Sequence, residues 1–189
     1  MRRFAWVLAL AAAVSIDGCA GAGSVLGTAD RTTANQVVIT VLGSTNVPRV
    51  LPGATIALSA TATIGAQNGV SPIGTFVWSA TLVSGGSYVA NASGGTKPCQ
   101  AVTVTSGGTT QPYTTDFSVY LTIDPTNEAN VLFSPPPLIP APPGGSLVTS
   151  YPYCVRIAAN AMTGPAGHQT VAAGGSMLVA VVDPLAPEQ

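Results

Sequence analysis

The sequence predicts an all-β sandwich of about 7–9 antiparallel strands. Three observations carry that expectation. First, residues Leu51 to Leu82 hold two runs of alternating apolar and polar residues separated by a turn rich in Gly, Asn and Pro. Second, Thr and Val are abundant, and both suit a pleated surface, while Lys97 and Glu128 are the lone Lys and Glu in the body of the chain. Third, Gly, Pro and Asn-Gly punctuation recurs at short intervals, with no amphipathic helical period between.

Composition narrows the function classes. Only 7% of the 189 residues are charged, against about a quarter in ordinary globular chains, and the net charge is -1. Without a basic footprint, nucleic acid is not expected as a partner. The hydrophobic fraction of 47% is too high for a disordered chain, and the length suits one domain of somewhat above-average size, with two very small ones as the alternative.

Residues 1–19 read as a signal peptide. Arg2 and Arg3 precede an apolar run from Phe4 to Ile16, about thirteen residues, where a spanning helix needs about twenty. Ile16-Asp17-Gly18-Cys19 resembles the lipobox of bacterial lipoproteins, in which the Cys is acylated; Asp17 departs from that pattern. The resemblance implies a membrane anchor at Cys19, and in a host with two membranes Ala20 after it looks like an outer-membrane signal. Cleavage after Ala20-Gly21-Ala22, giving a freely secreted extracellular chain, and an uncleaved anchor are the alternatives. Residues 20–35 are small and polar and read as a flexible tether.

The sandwich is expected over residues 36–185. Gln36 to Leu42 is β-branched and reads as its first strand. In the second, Ile56, Leu58, Ala60, Ala62 and Ile64 alternate with small polar residues or alanine. Gly65 to Gly74 is a turn. Phe76, Trp78, Ala80 and Leu82 then share one face of the next strand, which makes Trp78 a core plug and not a ligand platform. Ser87 to Ala92 is an edge-strand candidate, and Ala101 to Thr105 and Phe117 to Ile123 read as strands, with Ser106 to Pro112 a turn between them. Residues 132–146 hold six of the sixteen prolines. Proline has no N–H to give a ladder, so this is a crossover covering an end of the sandwich, with Leu138 and Ile139 tucked inward; a protruding recognition loop is the alternative. Tyr151 to Ala159 is a strand, Met162 to Ala173 a Gly/Pro-rich connection, and Ser176 to Val182 the last strand. The Gly pairs, 174–175 among them, read as turns.

Leu51-Pro52-Gly53-Ala54-Thr55-Ile56-Ala57-Leu58-Ser59-Ala60, followed by Val77-Trp78-Ser79, resembles the bacterial Ig-like domains of surface and secreted proteins. The resemblance implies an immunoglobulin-like sandwich used for adhesion, display or spacing, and it implies no chemistry. This chain is longer than a typical repeat of that family, carries the proline-rich insertion and does not repeat itself.

Outside the leader, two cysteines remain. Cys99 and Cys154 are expected to form a disulfide closing a loop of about 55 residues, worth roughly 4 kcal/mol; two free thiols or a metal site are the alternatives. Cys154 is out of phase with Tyr153, Val155 and Ile157, which places the bridge outside the central core. His168 lies in a Gly/Pro loop with no nucleophile elbow to make it a catalytic base. Asp124, Asn127 and Glu128 offer a weak Ca²⁺ set, outweighed by a simple polar turn. Asp116, Asp124, Glu128 and Asp183 are the main carboxylates of the folded region, and nothing pairs two of them for hydrolysis. No catalytic residue, metal or cofactor is expected.

The function this supports is an exported, lipid-anchored module for cell-envelope binding, adhesion or assembly. It would meet an envelope protein or glycan through loops near Leu138, Ile139 and His168. The alternatives are a small extracellular hydrolase or carbohydrate-binding accessory domain, and a subunit whose edge strand extends a partner's sheet.

Overall fold

The computed structural model describes residues 35–43, 47–63, 75–165 and 167–185. The expected leader, Cys19, nearly all of the expected tether and the expected Gly65 to Gly74 turn lie outside the described residues. In chain order the strands are β1 (Gln36–Leu42), β2 (Arg49–Val50), β3 (Ile56–Thr63), β4 (Thr75–Val83), β5 (Ser87–Val89), β6 (Thr96–Pro98) and β7 (Thr103–Ser106). They continue with β8 (Thr109–Pro112), β9 (Thr115–Asp116), β10 (Leu121–Ile123), β11 (Asn130–Phe133), β12 (Ser146–Val148), β13 (Tyr153–Thr163) and β14 (Thr170–Val181). A 3₁₀ turn spans Ser118–Tyr120, and no helix among the described residues is long and apolar enough to cross a membrane.

Two sheets share one core. The first has the order β1-β3-β11-β10, the second β2-β14-β13-β4-β9; β12-β7-β8 and β5-β6 form small separate sheets. The alternation read from the sequence decides which side chains enter the core. Ile56, Leu58 and Ala60 of β3, with Val131 and Phe133 of β11, face Trp78, Ala80 and Leu82 of β4 and Tyr153, Val155, Ile157, Ala159 and Ala161 of β13. Trp78 is 6% exposed, so nearly all its ring area is removed from water, contributing a few kcal/mol.

Several expectations are corrected. Pairing is not wholly antiparallel, because β2 runs parallel to the end of β14. Phe117 to Ile123 is not one strand. The Asp116 carboxylate accepts the Ser118 N–H at 2.8 Å, Ser118 opens the 3₁₀ turn, and Val119 is left 80% exposed. Local side-chain bonding to the backbone outcompetes the ladder there. The proline-rich insertion starts later than its composition suggests, since Leu132 and Phe133 belong to β11, paired with β3. Met162 to Ala173 is not one connection: β13 runs through Thr163 and β14 begins at Thr170, leaving only the tip between them.

The Gly174–Gly175 pair is likewise not a turn. Both residues lie inside β14, opposite Asn160 and Ala159. A Cβ on Gly175 would overlap the Val37 carbonyl oxygen of β1, so glycine lets the edges of the two sheets meet there.

Candidate functional site

Strand direction sorts the candidate residues onto two opposite ends. β13 starts at Tyr153 near Val83 and finishes beside Thr75, the first residue of β4, and His168 follows at the tip of its hairpin with β14. The turn joining β10 and β11 belongs to this same end. The Trp78 indole, three residues into β4, donates through Nε1 to the Glu128 carbonyl at 2.8 Å, and the Ala60 N–H donates to the Ala129 carbonyl at 2.8 Å. The proline-rich segment leaves the other end of β11, where Phe133 pairs with Ile56 at the start of β3 and the Gly53 N–H donates to the Pro135 carbonyl at 2.8 Å. Leu138 and Ile139 are therefore at one end and His168 at the other. The structure does not bring these candidate loops together.

Leu138 and Ile139 also part company. Leu138 is 83% exposed, whereas Ile139 packs against the core. The Tyr113 hydroxyl donates to the Pro140 carbonyl at 3.3 Å, which further pins the segment to the molecule. Only half of the inward tuck expected from the sequence is present.

At the His168 end, the turn from Asp124 to Ala129 is rigid by its own hydrogen bonding. The Asp124 carboxylate accepts the Thr126 hydroxyl at 2.7 Å and the Thr126 N–H at 2.8 Å, and those bonds hold its pKa below the ordinary carboxylate value. Asn127 Oδ1 accepts the Ala129 N–H at 3.2 Å. Two of the three oxygen-bearing groups weighed for Ca²⁺ are thus already engaged, in a site that would need six to eight oxygens. Among the described residues, no three His, Cys, Asp or Glu side chains gather as metal ligands would.

Glu128 differs from its neighbours. Its backbone carbonyl holds the Trp78 indole, yet its carboxylate has no hydrogen bond or ion pair among the described residues. It borders a cleft of about 400 Å³ between the start of β4 and the turn, lined by Thr75, Phe76, Pro125, Thr126, Asn127, Glu128 and Ala129. Phe76, half-buried above Trp78 on the core face of β4, supplies the aromatic ring. Sequence reasoning named the turn residues but missed the cleft, because Thr75 and Phe76 come from some fifty residues earlier in the chain.

The other carboxylates stand apart. Asp116 is on β9, paired with Thr81, and Ser118 holds its pKa low through its hydroxyl and its N–H. Asp183 follows β14 at the opposite end and accepts the Leu185 N–H at 2.8 Å. It borders a smaller cleft of about 190 Å³ with Lys97, Gln100 and Tyr151, where burial and then the Asp183 charge raise the Tyr151 phenol.

Cys99 and Cys154 form a disulfide with Cα atoms 5.6 Å apart. Cys154 is fully buried on the outer face of β13, within a second small cluster with Tyr88, Ala90, Cys99, Ala180 and Val182. The bridge clamps the β5–β6 hairpin, which no other strand among the described residues pairs with, against the outside of the second sheet. It lies outside the central core, as its phase along the strand implied.

No family model matches this chain, and no curated protein does.

Proposed function

We propose that this chain is an exported immunoglobulin-like module of the cell envelope, anchored by a lipid on Cys19, that acts by binding or assembly and not by catalysis. The strand order carries the fold reading. In immunoglobulin-type sandwiches one sheet has the order A-B-E-D and the other contains G-F-C. Assigning A to β1, B to β3, C to β4, D to β10, E to β11, F to β13 and G to β14 reproduces both orders, with β2 as the parallel strand beside G. Trp78 then falls on strand C, where such folds bury a Trp against the core. The disulfide departs from the antibody pattern, since it holds an outer hairpin and does not join B to F.

Binding is the role this scaffold supports best, and the end carrying Glu128 and His168 is the surface for it. The turn there is braced by Trp78 from the core, so it presents its groups with little freedom to lose on association. Strand addition at β1 has less support, because the Val37 carbonyl on that edge is turned onto β14. A hydrolase would need acids paired across a cleft, and Asp116, Asp124 and Asp183 are each engaged with backbone N–H groups at separate places.

Two measurements test the proposal. Intact mass of the exported protein is expected to show a mature chain starting at acylated Cys19; a form starting at Gly23 overturns the anchor. Photo-crosslinkers placed at Thr126, His168 and Leu138 of the full chain in native envelope should capture an envelope component from the first two positions. Capture from Leu138 alone reverses the choice of end, and capture from none overturns the binding role.

A further inference from the structure

We propose that the cleft between β4 and the β10–β11 turn binds a saccharide, one sugar ring resting in it with its hydroxyls on Glu128, Asn127 and Thr126. The inference rests on the binding-module reading above and names the ligand class of that same end.

The chemistry of the lining selects this class. The Glu128 carboxylate is an acceptor without a partner. Asn127 spends its Oδ1 on the Ala129 N–H and so offers its NH₂ as a donor. Thr126 donates its hydroxyl proton to Asp124 and keeps lone pairs to accept with. An acceptor, a donor and one aromatic ring, Phe76, thus border the same cleft, a combination that suits a ligand with hydroxyls at its edge and C–H on its face. The volume of about 400 Å³ lies within the range of small-molecule sites. Other classes fit less well. No cation among the described residues borders the cleft to hold a phosphate, and the Glu128 carboxylate would repel one. A wholly apolar ligand would strip water from the Glu128 carboxylate without replacing it. The Trp78–Glu128 bond holds one wall in place before any ligand arrives, which lowers the ordering cost of binding.

The test uses the full chain with chitobiose, cellobiose, lactose and maltose as probes, followed by calorimetry. In the mature chain starting at Cys19, Trp78 is the one indole, and because it is bonded to the wall of the cleft at Glu128 its emission gives a second readout. At least one probe is expected to bind with a Kd near or below about 1 mM and to shift Trp78 emission. E128Q, an exposed isosteric change, should weaken that probe at least tenfold, F76L should weaken it too, and L138A at the opposite end should leave it unchanged. Absence of binding by all four probes at about 10 mM overturns the proposal. Binding that E128Q leaves unaltered also overturns it. If the probes fail while crosslinking at Thr126 and His168 still captures an envelope component, the saccharide falls and the module reading stands.

Discussion

Trp78 Nε1 donates to the backbone carbonyl of Glu128 at 2.8 Å, joining the middle of the core to the turn that bears the cleft. The bond explains how one aromatic residue can serve both packing and site geometry. Its ring fills the space between the sheets, and its polar edge reaches the backbone carbonyl of the residue two before β11. Replacement by Phe removes the donor and some volume, leaving the Glu128 carbonyl without its partner. W78F is expected to lower stability by about 2 kcal/mol and to loosen the turn. Urea denaturation reads the first effect and hydrogen exchange of the Ala129 and Asn130 amides the second. Unchanged protection of those amides would separate the indole from the site.

The disulfide has a different job. Cys99 and Cys154 hold the β5–β6 hairpin onto the outer face of the second sheet, where Tyr88 is buried with no partner for its hydroxyl. An unpaired buried phenol opposes docking by roughly 1–3 kcal/mol, so the hairpin depends on the covalent link. The C99A/C154A variant is expected to lose about 2–5 kcal/mol and to become open to proteolysis around residues 90–95, with the main core retained. Limited proteolysis with and without a dithiol reductant measures this. A hairpin as resistant after reduction as before would show that packing alone suffices.

Legibility in the sequence followed the range of the forces involved. Strand β1 was readable to its bounds, and the core face of β4 from Phe76 to Leu82 was readable from alternation, because period two is a local signal. The same signal failed at Phe117 to Ile123, where an Asp and a Ser offered the backbone nearer partners than a neighbouring strand. Strand β11 was hidden because four residues are too few to show a period and prolines follow at once. The phase of Cys154 did place the bridge outside the core, since one residue's shift along a strand reverses its face. What could not be read was the meeting of distant segments: Gly175 under Val37, or Phe76 against the turn from Asp124 to Ala129. A glycine that admits another backbone looks the same in sequence as a glycine that turns.

That ambiguity gives a paired test in β14. A Cβ on Gly175 would collide with the backbone of Val37, and moving it means shifting β1 as a whole. A Cβ on Gly174 would meet Oδ1 of Asn160, the far end of a side chain that can swing away. G175A is therefore expected to cost about 3 kcal/mol, while G174A should stay within about 1 kcal/mol of the parent. Thermal or urea unfolding of the two variants side by side checks the difference. Equal costs would mean that the approach of β1 to β14 does not set the requirement for glycine.

Stability should fall at both extremes of pH, for reasons that can be assigned to residues. Asp116 and Asp124 have pKa values below the ordinary 3.8, the first through Ser118 and the second through Thr126. A carboxylate depressed by folding adds stability above its unfolded value, and that contribution is lost as pH falls through the folded value. The acid limb is therefore expected below about pH 4. Tyr153 behaves in the opposite sense: burial, then the charges of Tyr151 and Tyr120, raise its phenol above the ordinary 10.0. Folding favours the neutral phenol, so stability is intact below about pH 10 and declines as pH rises beyond it, where only the unfolded chain ionises. D116N/D124N preserves the oxygens that accept the turn N–H groups but cannot titrate, so it should flatten the acid limb and leave the alkaline limb alone. Y153F should do the reverse. Urea midpoints across the pH range decide the matter: an alkaline limb that persists in Y153F would place the buried titrating group elsewhere.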